Sequence, residues 1–297
     1  MQIVFLGTSC MFPTKERSHS SVFLSYDNEG ILIDCGEGTQ RQMKISGINL
    51  NKITKILISH WHGDHVLGLA GIIQSLNVLE YEKKLEIYGP KGTKKNVKRL
   101  LSSFIFKNNL KMKIKDLTKE GFFFESKKFK LESYNLDHGV PCLGFSLVEN
   151  DKLKINMDEI KKKKIPFGPL IGELQEGKPV FFNGKKINPE EVSYSVKGKK
   201  VSFISDTALC KECYKLANDA DILVCESSYS STLENKSEEY KHLTSKQAAL
   251  IASKANAKKL VLTHFSNRYK DTQELEDDAR DYYDNVICAK DFMKINL

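Results

Sequence analysis

A chain of 297 residues, 40% of them hydrophobic, can bury a full core as one large or two ordinary domains, which excludes a disordered polymer. Its formal net charge of +8 points to a polyanionic partner, and no apolar run approaches the roughly 20 residues that span a bilayer, so no membrane partner is expected. Seven cysteines, an odd number scattered along the chain, fit a reducing, cytoplasmic setting better than a disulfide framework. Residues 2–6, 21–25, 30–34 and 55–58 are short β-rich runs broken by Gly, Asn and Pro, and they read as strands. The opening MQIVFLGTSCMF has neither a basic leader nor an A-x-A cleavage pattern and is taken as the first of these strands. Residues 66–79 place apolar positions at helical spacing. Further strands are expected at 85–88, 129–136, 201–204, 222–225 and 260–263, and helices at 244–255 and 272–283. The stretch 151–199 breaks this rhythm. It is rich in Lys, Gly, Pro and Glu, carries the turn signals IPFGP and NGKK, and reads as an insertion projecting from the core. Basic residues cluster in KGTKKNVKR at 91–99 and in the run Lys161, Lys162, Lys163 and Lys164. Cys210 and Cys213 form a lone CxxC; without a second pair a zinc ribbon is not expected, and the two read as ordinary half-buried thiols.

Three of the seven histidines fall in one decapeptide, LISHWHGDHV at 57–66. His60 and His62 stand two apart just past a strand, so in an extended loop they project to the same side. Asp64 and His65 follow where the chain turns through Gly63 into a helix. A strand end thus delivers one pair of ligands and a tight turn the other, which suits two metal ions held side by side. Imidazole and carboxylate donors together favour zinc, with manganese or iron also compatible. Such a site needs more ligands, and His138, Asp206 and His264 each stand at the end of a strand-like run.

HWHGDH, a later His, the Asp of SDT and the His of THFSNRY resemble the metallo-β-lactamase fold, and specifically the RNase Z family of zinc endonucleases that trim the 3′ end of precursor tRNA. The resemblance runs from FLGTS and PTKERS through LIDCGEGTQRQM to THFSNRY, nearly the whole chain. It implies an α/β fold: an αβ/βα four-layer sandwich of two mixed β-sheets flanked by helices, as one domain over 1–297, with 151–199 as an inserted flexible arm. It implies one zinc on His60, His62 and His138, a second on Asp64, His65 and His264, and Asp206 bridging them. The family pairs a Glu in a HEAT-like motif with a His in an HST-like motif, and Glu226 in CESS and His242 in HLT stand at those places, with Ser227, Ser228 and Leu243 departing from the commoner letters.

The chemistry so implied is hydrolysis of an RNA phosphodiester. Asp64 is both ligand and proton acceptor, and His242, held protonated by Glu226, donates to the departing ribose oxygen. The products are a tRNA with a 3′ hydroxyl and a trailer with a 5′ phosphate. The arm implies an exosite for the tRNA elbow, with Lys161 to Lys164 meeting backbone phosphates and Gly168 and Pro169 in IPFGPL matching the Gly-Pro motif of short-form enzymes. PTKERS resembles the family's PxKxRN loop near the cleavage site and offers Lys15 and Arg17 to the substrate, with Ser18 in place of the usual Asn. The resemblance also implies a homodimer, and no DNA partner is expected. Two alternatives share the metal motif: a phosphodiesterase acting on small or cyclic substrates, and a non-catalytic RNA-binding subunit. A glyoxalase- or lactonase-type hydrolase has no use for Glu226, His242 or an arm.

Overall fold

The computed structural model describes residues 1–297 and separates into two compact units. The larger, 1–125, 131–147 and 200–297, contains two seven-stranded sheets. In space the first sheet runs Lys294–Asn296, Gln2–Gly7, Ser21–Tyr26, Glu29–Ile33, Ile53–Leu57, Leu85–Pro90, Met112–Leu117. Its first four strands pair antiparallel and the rest pair parallel. The second sheet runs Val286–Cys288, Leu260–Thr263, Ile222–Glu226, Lys200–Ile204, Pro141–Glu149, Phe129–Asp137, Gly121–Glu125. Its first four strands are parallel.

Both sheets are mixed because the chain changes connection. Short turns join Ser21–Tyr26 to Glu29–Ile33 and Phe129–Asp137 to Pro141–Glu149, whereas helices cross between the parallel strands. Alternation along Gln2–Gly7 shows how each sheet is buried. Val4 and Leu6 pack with Met43, Leu69, Ile72 and Val97 from the helices Thr39–Ile45, Leu69–Val78 and Thr93–Ser102. Ile3 and Phe5 point to the opposite face and are equally buried. That inner face meets the second sheet through a chain of rings, Tyr88 to Phe123 at 5.0 Å and Phe123 to Phe145 at 6.2 Å between centroids. The second sheet's outer face is covered by Lys211–Ala217, Ser245–Lys254 and Gln273–Arg280, which bury Leu216, Ala248, Ile251 and Leu275. The layers are therefore helix, sheet, sheet, helix. No helix is long and apolar enough to cross a membrane.

The helix expected at 66–79 is two helices, Gly63–Val66 and Leu69–Val78. The break comes at Gly68, where a Cβ would stand 2.1 Å from the Gly36 carbonyl oxygen. Only glycine allows that approach. Edge strands such as Met112–Leu117 lie outside the sequence expectations because MKIKDL alternates apolar with charged residues and exposes its lysines.

The smaller unit, 126–130 and 148–199, has a ribbon of Lys152–Ile155 with Ser193–Val196 and a second of Val180–Phe182 with Lys185–Ile187. Two short helices, Met157–Lys162 and Pro169–Gln175, complete it. Sparse as its apolar residues looked in sequence, they gather: Ile160, Ile165, Leu174, Val180, Ile187 and Val192 make a core of its own.

Candidate metal centre

Five of the seven side chains expected as ligands follow a strand of the larger unit. His60 and His62 follow Ile53–Leu57, His138 follows Phe129–Asp137, Asp206 follows Lys200–Ile204, and His264 follows Leu260–Thr263. Asp64 and His65 lie in the single helical turn Gly63–Val66. Parallel strands end together, so the folding that buries the apolar runs also brings these polar ends to one place.

Two donor groups result. In the first, His60 Nε2 lies 3.0 Å from His62 Nδ1, which lies 3.2 Å from His138 Nε2. Asp206 Oδ2 faces this group at 3.8 Å from His60 and 3.7 Å from His138. In the second, His65 Nε2 and His264 Nε2 are 3.3 Å apart. Asp64 Oδ2 lies 3.4 Å and 3.6 Å from them, and Asp206 Oδ1 lies 3.5 Å and 3.3 Å from them. Asp206 thus turns one oxygen to each group.

A tetrahedral zinc with N and O ligands at about 2.0–2.1 Å has ligand-to-ligand edges of about 3.3 Å. The spacings in the two groups, from 3.0 to 3.8 Å, bracket that edge. Proton sharing is the competing explanation, and the outward-facing nitrogens argue against it. His65 Nδ1 meets Asp34 Oδ2 at 2.7 Å, His138 Nδ1 meets the Lys241 carbonyl at 3.0 Å, and His264 Nδ1 meets Ser228 Oγ at 3.0 Å. With Nδ1–H donated outward, each Nε2 is left with a lone pair directed at its neighbours, the tautomer a metal requires. The residues therefore fit two divalent ions.

Electrostatics agree. Burial, then the charge on His65, holds His60 well below the ordinary histidine pKa, so it is a neutral donor. For His65 and His264 burial also opposes charge, but Asp206 and, for His65, Asp34 outweigh it and raise both. The carboxylates thus set up a field that favours positive charge between the His65 and His264 imidazoles. Asp64 and Asp206 are pulled well below the carboxylate range despite burial, Asp64 by hydrogen bonds to His264 and His65 and Asp206 by the charges of His264, His65 and His60. Asp34 and His264 take positive φ values of 56° and 62°, backbone strain placed at the centre itself.

Beside these groups His242 turns Nδ1 to both oxygens of Glu226, 3.1 Å from each. Burial disfavours a charged His242, but the charge and hydrogen bond of Glu226, with Asp206 adding, raise its pKa to about 9. The same nitrogen is 3.9 Å from Asp206 Oδ2, so the imidazolium reaches the edge of the donor set. Cys10, Tyr229, Tyr240 and Arg268 line the open cleft over it.

Several residues at the centre had no sequence signal. Asp34 also accepts from the Ser59 amide and hydroxyl, both at 2.7 Å, and Ser59 Oγ in turn meets His60 Nδ1 at 3.0 Å. Ser228, a departure from the commoner letters, donates to Glu226 at 2.8 Å while meeting His264. Arg17 is placed differently from its reading as a substrate contact: it is buried, and its guanidinium donates to the Tyr269 carbonyl at 2.6 Å and the Ser266 carbonyl at 3.4 Å. It ties the PTKERS loop to THFSNRY. Lys15 remains exposed. In the smaller unit, Lys161 to Lys164 are exposed, with Lys162 on Glu159 at 2.5 Å and Lys163 on Glu191 at 2.7 Å, and Gly168 precedes Pro169 at the start of its helix.

Known structures resemble this arrangement over its whole length. The short form of human tRNase Z matches with a TM-score of 0.74 and 27% identity, covering 100% of this chain and 99% of that one. The metallo-β-lactamase fold protein YhfI of Bacillus subtilis matches with a TM-score of 0.72 and 16% identity, covering 99% and 98%. The two mixed sheets, the flanking helices and the donor groups at their strand ends define a metallo-β-lactamase-fold protein compatible with a dinuclear metal site. Residues 1–164 match the family model described as "Anti-Pycsar protein Apyc1", a stretch that ends before Asp206, Glu226, His242 and His264. Full-length relatives go further: ribonuclease Z of Methanosarcina mazei is 35% identical, covering 100% of this chain and 98% of the relative, and that of Protochlamydia amoebophila is 37% identical, covering 99% and 98%. The chain belongs to the ribonuclease Z family.

Proposed function

We infer that the chain is a tRNA 3′ endonuclease, a hydrolase that cuts the 3′ trailer from precursor tRNA and leaves a 3′ hydroxyl on the tRNA and a 5′ phosphate on the trailer. The observation that carries this reading is the Glu226–His242 pair, with 3.1 Å contacts, set against the paired donor groups. A ribose oxygen is a poor leaving group and needs a proton, and His242 with its pKa near 9 is charged at neutral pH and able to give one. His60, His62 and His138 would hold one ion, Asp64, His65 and His264 the other, and Asp206 both. Two zinc ions bound there would lower the pKa of water and neutralise charge on the phosphate. Asp64 takes the proton that the attacking water gives up. Asp34, Ser59, Ser228 and the Lys241 carbonyl keep the imidazoles aimed.

Substrate choice rests on parts outside the centre. The smaller unit, which includes 151–199, is the arm that meets the tRNA backbone through Lys161, Lys162, Lys163 and Lys164, with Gly168 and Pro169 shaping its turn. Lys15 meets RNA near the scissile bond. The chain works as a cytoplasmic homodimer; the exposed Val78 and Leu79, 81% and 49% accessible, lie with Leu50 on one shallow surface of the kind a second copy covers. The test is incubation with a 3′-extended tRNA transcript and mapping of the product end.

A further inference from the structure

The loop that carries Asp206 runs into a helix, and the junction holds a pair of thiols that the hydrolytic chemistry leaves unused. Cys210 stands in extended conformation immediately before the helix Lys211–Ala217, and the Cys213 amide donates back to the Cys210 carbonyl at 3.2 Å. That turn brings the two sulfurs to 3.5 Å. An S–S bond is about 2.05 Å long, so closure needs a movement of only about 1.5 Å. Their surroundings differ: Cys213 is fully buried, whereas Cys210 is half-buried. One thiol can be reached from outside, and the second can be reached only by the first. Neither belongs to a cluster of three or more metal-binding groups, so a structural zinc has nothing further to bind to there.

We propose that Cys210 and Cys213 form a thiol–disulfide exchange site, with disulfides of low-molecular-weight thiols as the oxidant. The thiolate of Cys210 attacks one sulfur of the incoming disulfide RSSR, the S–S bond breaks, and RS⁻ leaves. Cys213 then gives up its proton and attacks Cys210 Sγ, displacing the second RS⁻. The two released thiolates take up the two cysteine protons, so two electrons and two protons pass to RSSR and the protein keeps one disulfide. The roles follow from the environment. The Cys213 thiol first, then the amides of Cys213 and Glu212 and the Thr207 hydroxyl, bring Cys210 down to about 6 in spite of burial. Cys213 is pushed up by its bond to Cys210 and by burial, and so acts second. The site adjoins the hydrolytic centre: Thr207 Oγ1 is 3.8 Å from Cys210 Sγ, and the Thr207 amide donates to Glu226 at 2.8 Å.

The test equilibrates the full-length chain with graded mixtures of reduced and oxidised glutathione, traps free thiols with an alkylating agent, and reads each cysteine by peptide mass spectrometry. The wild type is expected to accumulate the Cys210–Cys213 disulfide while the buried Cys35, Cys142 and Cys225 stay as thiols. Cys213→Ser, lacking the resolving thiol, is expected to hold glutathione as a mixed disulfide on Cys210, and Cys210→Ser to leave Cys213 unmodified. Circular dichroism confirms that each variant is folded, and the wild-type result decides alone should Cys213→Ser not fold. No disulfide in wild type at ratios that oxidise a thioredoxin-class dithiol, or glutathione appearing on Cys213 in folded Cys210→Ser, overturns the proposal.

Discussion

On the proposed reading His242 and the candidate ligands, which share one cleft, do different work, and a change of leaving group separates them. Nitrophenolate departs with little need of a proton, whereas a ribose 3′ oxygen needs one. His242→Ala and Glu226→Ala should therefore keep bound metal and most activity on a bis-nitrophenyl phosphodiester, while losing about 10²-fold or more on precursor tRNA. Equal losses on both substrates would mean that His242 shapes the donor set instead. The candidate ligands were legible in the sequence because His and Asp at strand ends are the donors a metal needs, and few other uses place so many within ten residues. What orients them was not legible. Asp34 reaches His65 across the fold, and the acceptor for His138 is a backbone carbonyl, Lys241, which no side-chain letter encodes. Arg17 shows the reverse error, a basic letter in a loop that reads as a phosphate contact until the Thr14–Arg17 turn, closed by a 2.8 Å backbone bond, folds it inward.

Among the elements, the one-turn helix Gly63–Val66 carries two donors and is held by a few close backbone contacts. The Cys35 amide donates to the His65 carbonyl at 2.8 Å, and the Gly68 amide donates to the Cys35 carbonyl at 3.0 Å. These bonds lock the turn against the segment that follows Asp34, so His65 and the Asp34 carboxylate it meets are held as one piece. Gly68→Ala would drive a methyl into the Gly36 carbonyl. We expect it to destabilise the chain by about 1–3 kcal/mol, read as a lower melting temperature, and to weaken metal uptake in the same sample. A variant as stable as wild type would show that the approach to Gly36 is not tight. Parallel strands such as Ile222–Glu226 and Leu260–Thr263 were readable as unbroken apolar runs, since both faces are covered. The helix break at Gly68 was not, because apolar spacing continues through it and only the neighbouring loop forbids a straight helix.

For the whole molecule, the division into two units allows the proposed roles of the donor groups and of the lysine run to be tested apart. Every candidate ligand, Glu226 and His242 lie in the larger unit, and the lysine run lies in the smaller one. Replacing 152–197 with a short Gly/Ser linker should leave metal content and cleavage of small diesters unchanged but raise KM for precursor tRNA steeply. Neutralising Lys161 to Lys164 should weaken binding less and flatten its salt dependence, by about one unit of slope per lost phosphate contact. Normal tRNA cleavage by the armless chain would favour a small-molecule phosphodiesterase. The most direct test of the account is mapping the ends produced from a 3′-extended tRNA transcript by wild type, His62→Ala and Asp206→Ala. The account predicts one cut at the tRNA 3′ end, leaving a 3′ hydroxyl and a 5′-phosphorylated trailer, abolished by chelation and by either substitution. Cleavage that survives both, or a wild-type chain that leaves the trailer in place, would contradict it.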